Sequence, residues 1–227
     1  IQIPAMSEDE MLKTSGAVAY MMLNEKGKEI FANEKTKESL LKTLNETKND
    51  EVRSQVAGAI GNIACSEREK EIFANEEANE SLLKTLNETT NDKVREQAAW
   101  AILNIARSEN GREIFANEET KESLLKILNK PTNDEVRRRV ARAIGNIARS
   151  ENGREIFANE KVEQGLRKAL TDSREESSKS SIRRALKILG FEISVKVSNE
   201  QELKITGNNL EHQNKGESDQ EEELDDV

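Results

Sequence analysis

The sequence contains one cysteine, one histidine and only two prolines among its 227 residues. A single cysteine excludes an internal disulfide and fits a reducing compartment, so we expect a cytoplasmic or nuclear location. Aromatic residues make up only 3 % of the chain and hydrophobic residues 34 %, which argues against a thick globular core. There is no run of about 18 apolar residues, so the sequence predicts no membrane-spanning segment and no membrane partner.

The residue patterns of catalytic and metal sites are also missing. The single histidine, His212, lies in a polar segment, and Cys65 has no histidine near it in the sequence. Neither a metal-ligand spacing nor a glycine-rich phosphate-binding loop is present. We therefore expect a protein that is not an enzyme and has no cofactor or metal. The net charge of −9 and the scarcity of aromatic residues also argue against nucleic acid as a partner.

What the sequence has in abundance is internal repetition. The hexapeptide EIFANE occurs four times, with its phenylalanine at Phe31, Phe73, Phe115 and Phe157, each 42 residues after the last. A second block reads SLLKTLN twice and then SLLKILN. A third block reads EVRSQVAGAIGNIA, KVREQAAWAILNIA and EVRRRVARAIGNIA. A fixed period of roughly 40 residues indicates stacked helical units, none of which can bury its apolar face alone.

Apolar spacing predicts three helices in each unit: a short, a medium and a long one. In the first unit, residues 52, 56, 59, 60 and 63 form one helical stripe, and Asn49 and Asp50 precede it as N-cap candidates. Leu40, Leu41 and Leu44 predict the middle helix. Ile30 and Phe31 predict the short first helix.

Three helices in 42 residues, with a third helix reading AAWAILNIA or AIGNIA, resemble the armadillo repeat. The step from Trp100 to Asn104 is similar to the third helix of importin-α and β-catenin-type proteins. The resemblance implies an all-α fold, a right-handed α-solenoid. Its expected parts are a partial N-terminal capping repeat (1–26), four armadillo repeats (27–66, 67–108, 109–150, 151–190), a β-hairpin or linker (191–210) and a disordered acidic tail (211–227).

Two features complicate this resemblance. The Gly-Gly that usually precedes the middle helix is absent, because the chain reads ANEKTKE, ANEEANE and ANEETKE there. HEAT repeats also use sequences like EVRRRVARAIG, although typically in shorter two-helix units. The intervening EIFANE helix favours the armadillo alternative.

The third helices also carry the candidate binding residues. The resemblance places these helices along a concave groove, and Asn62, Asn104 and Asn146 recur there 42 residues apart. An amide offers both a donor and an acceptor, so a row of amides could pair with the backbone of an extended peptide. Trp100 would supply an apolar wall or a face for a cation. In the structural alternative, each asparagine bonds within its own stack and Trp100 fills a gap beside small neighbours.

The charged residues along this face predict the sign of the partner's charge. Glu96 lies one turn before Trp100, whereas the later repeats carry the arginines Arg138, Arg142, Arg149 and Arg184. We therefore expect an adaptor or scaffold that binds an acidic protein or peptide segment through bidentate arginine–carboxylate contacts. The alternatives are an import-receptor fragment that binds basic signals, a HEAT-like enzyme subunit, and a purely structural or engineered array. Solvated arginines balanced by nearby glutamates are the simpler interpretation of the charge.

The tail 217–227 carries seven acidic residues and no basic residue, so the remaining chain has a net charge of only −2. Such runs are usually solvating and disordered. A sharper hypothesis is that the tail competes within the chain for the arginines of the groove.

Overall fold

The computed structural model describes residue 26, residues 30–66 and residues 69–193. Within these residues the chain forms ten α-helices and one 3-10 helix, with no strand, which confirms the all-α prediction. The middle helices are α1 (Glu34–Glu46), α3 (Glu76–Glu88), α6 (Glu118–Leu128) and α9 (Glu160–Asp172). The third helices are α2 (Asp50–Cys65), α4 (Asp92–Ile105), α7 (Asp134–Ile147) and α10 (Glu176–Ile188). The short first helices are the 3-10 helix Lys70–Phe73, α5 (Glu109–Phe115) and α8 (Glu151–Phe157).

Asparagine caps set the starts of the helices. Asn33, Asn75, Asn117 and Asn159 each accept a backbone N–H from the first turn of a middle helix. This is the asparagine of ANE, so an Asx cap stands where the armadillo pattern has Gly-Gly. Asn49, Asn91 and Asn133 cap the third helices in the same way, as the sequence predicts.

Glycine decides the form of the first helices. A Cβ on Gly111 would lie 1.9 Å from the carbonyl oxygen of Ile105, and one on Gly153 would lie 2.0 Å from that of Ile147. Only glycine permits this approach, and both glycines lie within seven-residue helices. The corresponding residue of the second repeat is Glu69, and the helix there is a four-residue 3-10 helix instead.

The core runs through the stack as a series of thin layers. The phenylalanines of the second, third and fourth EIFANE segments are fully buried, and the leucines of the middle helices pack beside them. At the positions that face the next repeat, Ala57, Ala99 and Ala141 are completely buried. The equivalent residue of the fourth repeat is Arg183, whose side chain is 41 % exposed. A polar side chain suits this position because no further repeat among the described residues covers it.

The expected N-terminal cap (1–26) and the acidic tail (211–227) lie outside the described residues, apart from residue 26, as does the expected hairpin or linker (191–210) beyond residue 193.

Candidate peptide-binding face on the third helices

The third helices pack directly against one another, and their residues contact the neighbouring repeat at recurring sequence spacings. Gly61 contacts Trp100, 39 residues later, and Asn104, 43 residues later, while Arg107 contacts Cys65, 42 residues earlier. These spacings are the 42-residue repeat length minus three, plus one, or unchanged. We define the third-helix face as four equivalent positions along or just after each of the first three third helices, and the first three of these positions on the last. Its members are Ser54, Gly58, Asn62 and Cys65; Glu96, Trp100, Asn104 and Arg107; Arg138, Arg142, Asn146 and Arg149; and Ser180, Arg184 and Ile188.

The asparagines of this face bond to the neighbouring repeat. Asn104 is only 2 % exposed, and its Nδ2 donates to the carbonyl oxygen of Gly61 at 3.1 Å. Asn146 is half-buried, and its Nδ2 donates to the carbonyl oxygen of Leu103, also at 3.1 Å. Leu103 belongs to the last turn of α4, whose carbonyl groups the helix itself leaves without partners.

The structure therefore agrees with the alternative in which these asparagines bond within the stack. Each of the two donates an amide N–H to the preceding repeat, and Asn104 is sealed from solvent. Asn62 is half-buried. Its partner in the preceding repeat would be the equivalent of Gly61, which is residue 19 and lies outside the described residues. Whether any of these asparagines also contacts a ligand stays a prediction.

Trp100 lies between two neighbouring repeats. Its Cδ1 would be 2.3 Å from a Cβ at residue 61, so the indole packs on the helix backbone where Gly61 leaves room. On the other side, the guanidinium carbon of Arg139 lies 4.9 Å from the ring centroid. This is a cation–π contact. The predicted cation-binding surface of Trp100 is thus occupied by an arginine of the same chain.

Two of the other predicted site residues are also engaged within the protein. The carboxylate of Glu96 binds Arg139, with Nη2 3.0 Å from Oε1. Arg138 binds Glu135 in a bidentate manner, Nε to Oε2 at 2.6 Å and Nη2 to Oε1 at 2.7 Å. Neither side chain is a free charge on the third-helix face.

The three remaining predicted arginines behave differently. Arg142, Arg149 and Arg184 are exposed, and their guanidinium groups make no hydrogen bond or ion pair to any described residue. Arg149 also borders an open cavity of about 560 Å³, which is lined by Glu151, Arg154, Glu155 and Ala158.

The environment of Arg142 shows that these charges are crowded. Partial removal from water is the main cause that lowers the pKa of the Arg142 guanidinium, followed by the positive charges of Arg138 and Arg184. Glu135 opposes the shift in pKa and Arg107 adds to it. An arginine remains protonated at neutral pH, so this lowered pKa reflects mainly partial removal of the guanidinium from water and only secondarily the positive charges nearby.

The contact with Gly61 agrees with the alternative in which Trp100 fills a gap beside small neighbours. The sequence interpretation did not pair Arg139 with Trp100. Arg139 and Gly61 both lie 39 residues from Trp100, so the inter-repeat spacing is the signal that would have revealed the Arg139 contact. Among the described residues, no group of three or more histidine, cysteine, aspartate or glutamate side chains is placed to hold a metal ion. No helix in the described ranges is long and apolar enough to cross a membrane.

Comparison with solved structures identifies the fold as armadillo-type, as the sequence predicts. A designed armadillo repeat protein in complex with the peptide (KR)4 matches with a TM-score of 0.71 and 23 % identity, over 82 % of this chain and 77 % of that one. A computationally designed armadillo repeat protein for modular peptide recognition matches with a TM-score of 0.67 and 23 % identity, over 83 % and 78 %. An engineered protein matches with a TM-score of 0.64 and 18 % identity, over 82 % and 94 %. No protein-family model matches this chain, and no curated protein matches it significantly.

Proposed function

We propose that this chain is a non-enzymatic adaptor or scaffold that holds an extended, acidic partner segment on its third-helix face. The observation that carries this proposal is a set of exposed arginines on the later repeats that make no ion pair with any described residue. In a chain of 44 acidic and 35 basic residues, Arg142, Arg149 and Arg184 keep exposed guanidinium groups without a carboxylate partner among the described residues. Such groups can form bidentate contacts with ligand carboxylates, which are stronger and more directional than ordinary surface ion pairs.

The spacing of the arginines suits an extended ligand. Arg142 and Arg184 occupy equivalent positions on α7 and α10, which are neighbouring packed helices. Packed helix axes lie about 8–10 Å apart, and an extended peptide advances about 3.3 Å per residue. A carboxylate at every second or third ligand residue would therefore meet successive arginines. Contacts to the arginine side chains carry this binding, since Asn104 and Asn146 each already donate one amide N–H to the preceding repeat.

A basic ligand is the less favoured alternative. The structural neighbour solved with (KR)4 shows that an armadillo-type scaffold can bind a basic peptide. In this chain, however, Glu96 and Trp100, the groups suited to such a ligand, are both engaged by Arg139. A purely architectural spacer is the second candidate, and the internal hydrogen bonds of Asn104 and Asn146 favour it.

A peptide titration separates these functions. The probe is a fluorescent peptide of about ten residues that alternates glutamate and serine, compared with a peptide that alternates lysine and arginine. We expect the wild-type chain to bind the acidic peptide, with affinity falling between about 50 mM and about 200 mM salt because the contacts are charged. Arg142→Gln/Arg184→Gln should weaken binding by roughly tenfold or more, as expected when two charge-assisted contacts are lost.

The matched control is Lys161→Gln/Lys168→Gln, which removes the same charge from exposed ion pairs on the middle helix α9. It should leave the affinity nearly unchanged. Equal losses in both double variants would mean that binding only follows net charge, and the proposed site would be rejected. A wild-type preference for the basic peptide would reject the acidic ligand, and binding of neither peptide would support the architectural spacer.

The acidic tail is proposed as a weak competitor for the same arginines. Deletion of residues 210–227 should then raise the affinity for the acidic peptide. Unchanged affinity in the deletion variant would rule out this competition and leave the binding face unaffected.

A further inference from the structure

Arg139 makes an unusually complete set of contacts for an arginine on a helix surface. Its guanidinium stacks on Trp100 with the carbon 4.9 Å from the ring centroid. Nη2 binds the carboxylate of Glu96 at 3.0 Å, and Nη1 donates to the backbone carbonyl of Glu96 at 3.4 Å. Nε donates to Oε1 of Glu135 at 2.6 Å. The side chain is 15 % exposed, so the charge is held within the stack rather than in water.

The two acidic partners of Arg139, Glu135 and Glu96, differ in the contacts that they would keep if Arg139 were removed. Glu135 also binds Arg138 through both carboxylate oxygens and would remain paired. The carboxylate of Glu96 has no other hydrogen bond or ion pair in the described part of the chain. Loss of Arg139 would therefore uncover an aromatic ring face beside an unpaired carboxylate. Together these groups form a binding position for a guanidinium or ammonium group.

This combination occurs at one place in the stack. The residues equivalent to Arg139 are Gln55, Gln97 and Ser181, none of which is charged. Those equivalent to Trp100 are Gly58, Arg142 and Arg184, and those equivalent to Glu96 are Ser54, Arg138 and Ser180. Among the four described third helices, only α4 carries the acid and the aromatic residue one turn apart, and only α7 carries the arginine that covers them.

We propose that Arg139 is a specificity-determining residue that occupies, from within the chain, the cation-binding position formed by Trp100 and Glu96. A ligand lysine or arginine must displace Arg139 from Trp100 and Glu96 and leave it with Glu135 as its only acidic partner among the described residues, so basic segments are excluded. Acidic segments meet only the exposed arginines. This inference rests on the proposed role of the third-helix face in holding an acidic peptide. It gives a physical reason why the same face excludes basic peptides.

The test measures binding of a basic peptide that alternates lysine and arginine to variants at residue 139. Arg139→Ala should bind this peptide roughly tenfold more tightly than the wild-type chain, since a stacked, ion-paired ligand cation replaces the missing side chain. The fluorescence of Trp100, the only tryptophan, should change on binding. Arg139→Lys keeps a cation at the site and should keep the basic peptide out.

Two controls separate this effect from the change in net charge. Arg183→Ala removes one arginine from an ion pair with Glu176 in the terminal repeat, and it should not improve basic-peptide binding. Glu96→Gln in the Arg139→Ala background should reverse the gain. Arg139→Gln keeps much of the aliphatic stem but lacks the guanidinium that covers Trp100. It serves as the second test variant if circular dichroism shows that the alanine variant is poorly folded.

A folded Arg139→Ala or Arg139→Gln variant with wild-type affinity for the basic peptide would overturn the inference. An equal gain in Arg183→Ala would overturn it as well. The acidic peptide is titrated in parallel against the wild-type chain. Failure of that arm alone rejects the proposed function, whereas failure of the basic-peptide arm alone rejects the role of Arg139.

Discussion

Replacing Asn104 with alanine distinguishes an amide that holds the stack together from one that awaits a ligand. In the structure, Asn104 is 2 % exposed and donates to the buried Gly61 carbonyl at 3.1 Å. Asn104→Ala removes this bond and leaves a small void that water cannot readily fill. Loss of a buried hydrogen bond costs about 1–3 kcal/mol when the remaining partner is kept from water.

Asn146→Ala provides the matched comparison, because it breaks the same type of bond to Leu103 at the same distance. Asn146 is half-buried, so water can replace much of what is lost. We expect it to cost about 0.5–1.5 kcal/mol, in line with an ordinary net hydrogen bond. The order of the two variants, with Asn104→Ala the more destabilised, follows directly from their burial.

The assay is urea unfolding followed by Trp100 fluorescence. Trp100 packs on Gly61 and therefore reports on the same interface that Asn104 bridges. A local probe matters because repeat arrays can unfold in stages. If Asn104→Ala unfolds within about 0.5 kcal/mol of the wild-type chain, the range of neutral surface substitutions, the stacking role of the amide is refuted. A simultaneous loss of peptide affinity would then restore the peptide-ladder hypothesis.

Further predictions concern pH and packing. Burial raises the pKa of Asp134, but hydrogen bonds from the backbone N–H groups of Glu175 and Arg174 and from the Arg137 side chain outweigh it, so the pKa lies below its usual value. The stability contributed by the Asp134 carboxylate is therefore fully present above about pH 4 and is lost as pH falls through the lowered folded-state pKa. Asp134→Asn should destabilise the chain at pH 7, and its difference from wild type in thermal unfolding should shrink in acid; a constant difference would contradict this reasoning. Gly61→Ala should cost about 1–3 kcal/mol in urea unfolding because its Cβ would meet the Trp100 ring at 2.3 Å. Gly58→Ala should be neutral or slightly stabilising, since its Cβ meets only the flexible end of Gln97 at 3.1 Å, and similar losses in both glycine variants would refute the packing argument.

The fold of each repeat is predicted well from the sequence because its helices are determined by residues that lie close together in the chain. The 42-residue period, the apolar stripes and the asparagine caps each depend on neighbours within a few residues. Asn33 and Asn49 accept backbone N–H groups from the first turns of the helices they precede. These features lead from the sequence to stacked three-helix units.

The contacts that residues of the third-helix face make with neighbouring repeats are harder to predict from the sequence. Helical periodicity places Asn104 and Trp100 on one face, but it does not say how deeply the next repeat covers them. The group that Asn104 meets lies 43 residues earlier in the chain, and the two that enclose Trp100 lie 39 residues away on either side. Only the stack fixes those distances. The arginine-rich stretch of α7 therefore looks uniform in sequence, whereas the structure divides it into paired and unpaired charges.

The central claim is that exposed, unpaired arginines of the third-helix face bind an acidic segment. The most direct test is NMR of the arginine Nε–Hε groups during titration with the glutamate–serine peptide. We predict shifts that saturate together for Arg142 and Arg184, with little change for the buried, ion-paired Arg137. Unchanged Arg142 and Arg184 signals in the presence of bound peptide, or equal shifts for Arg137, would contradict the account.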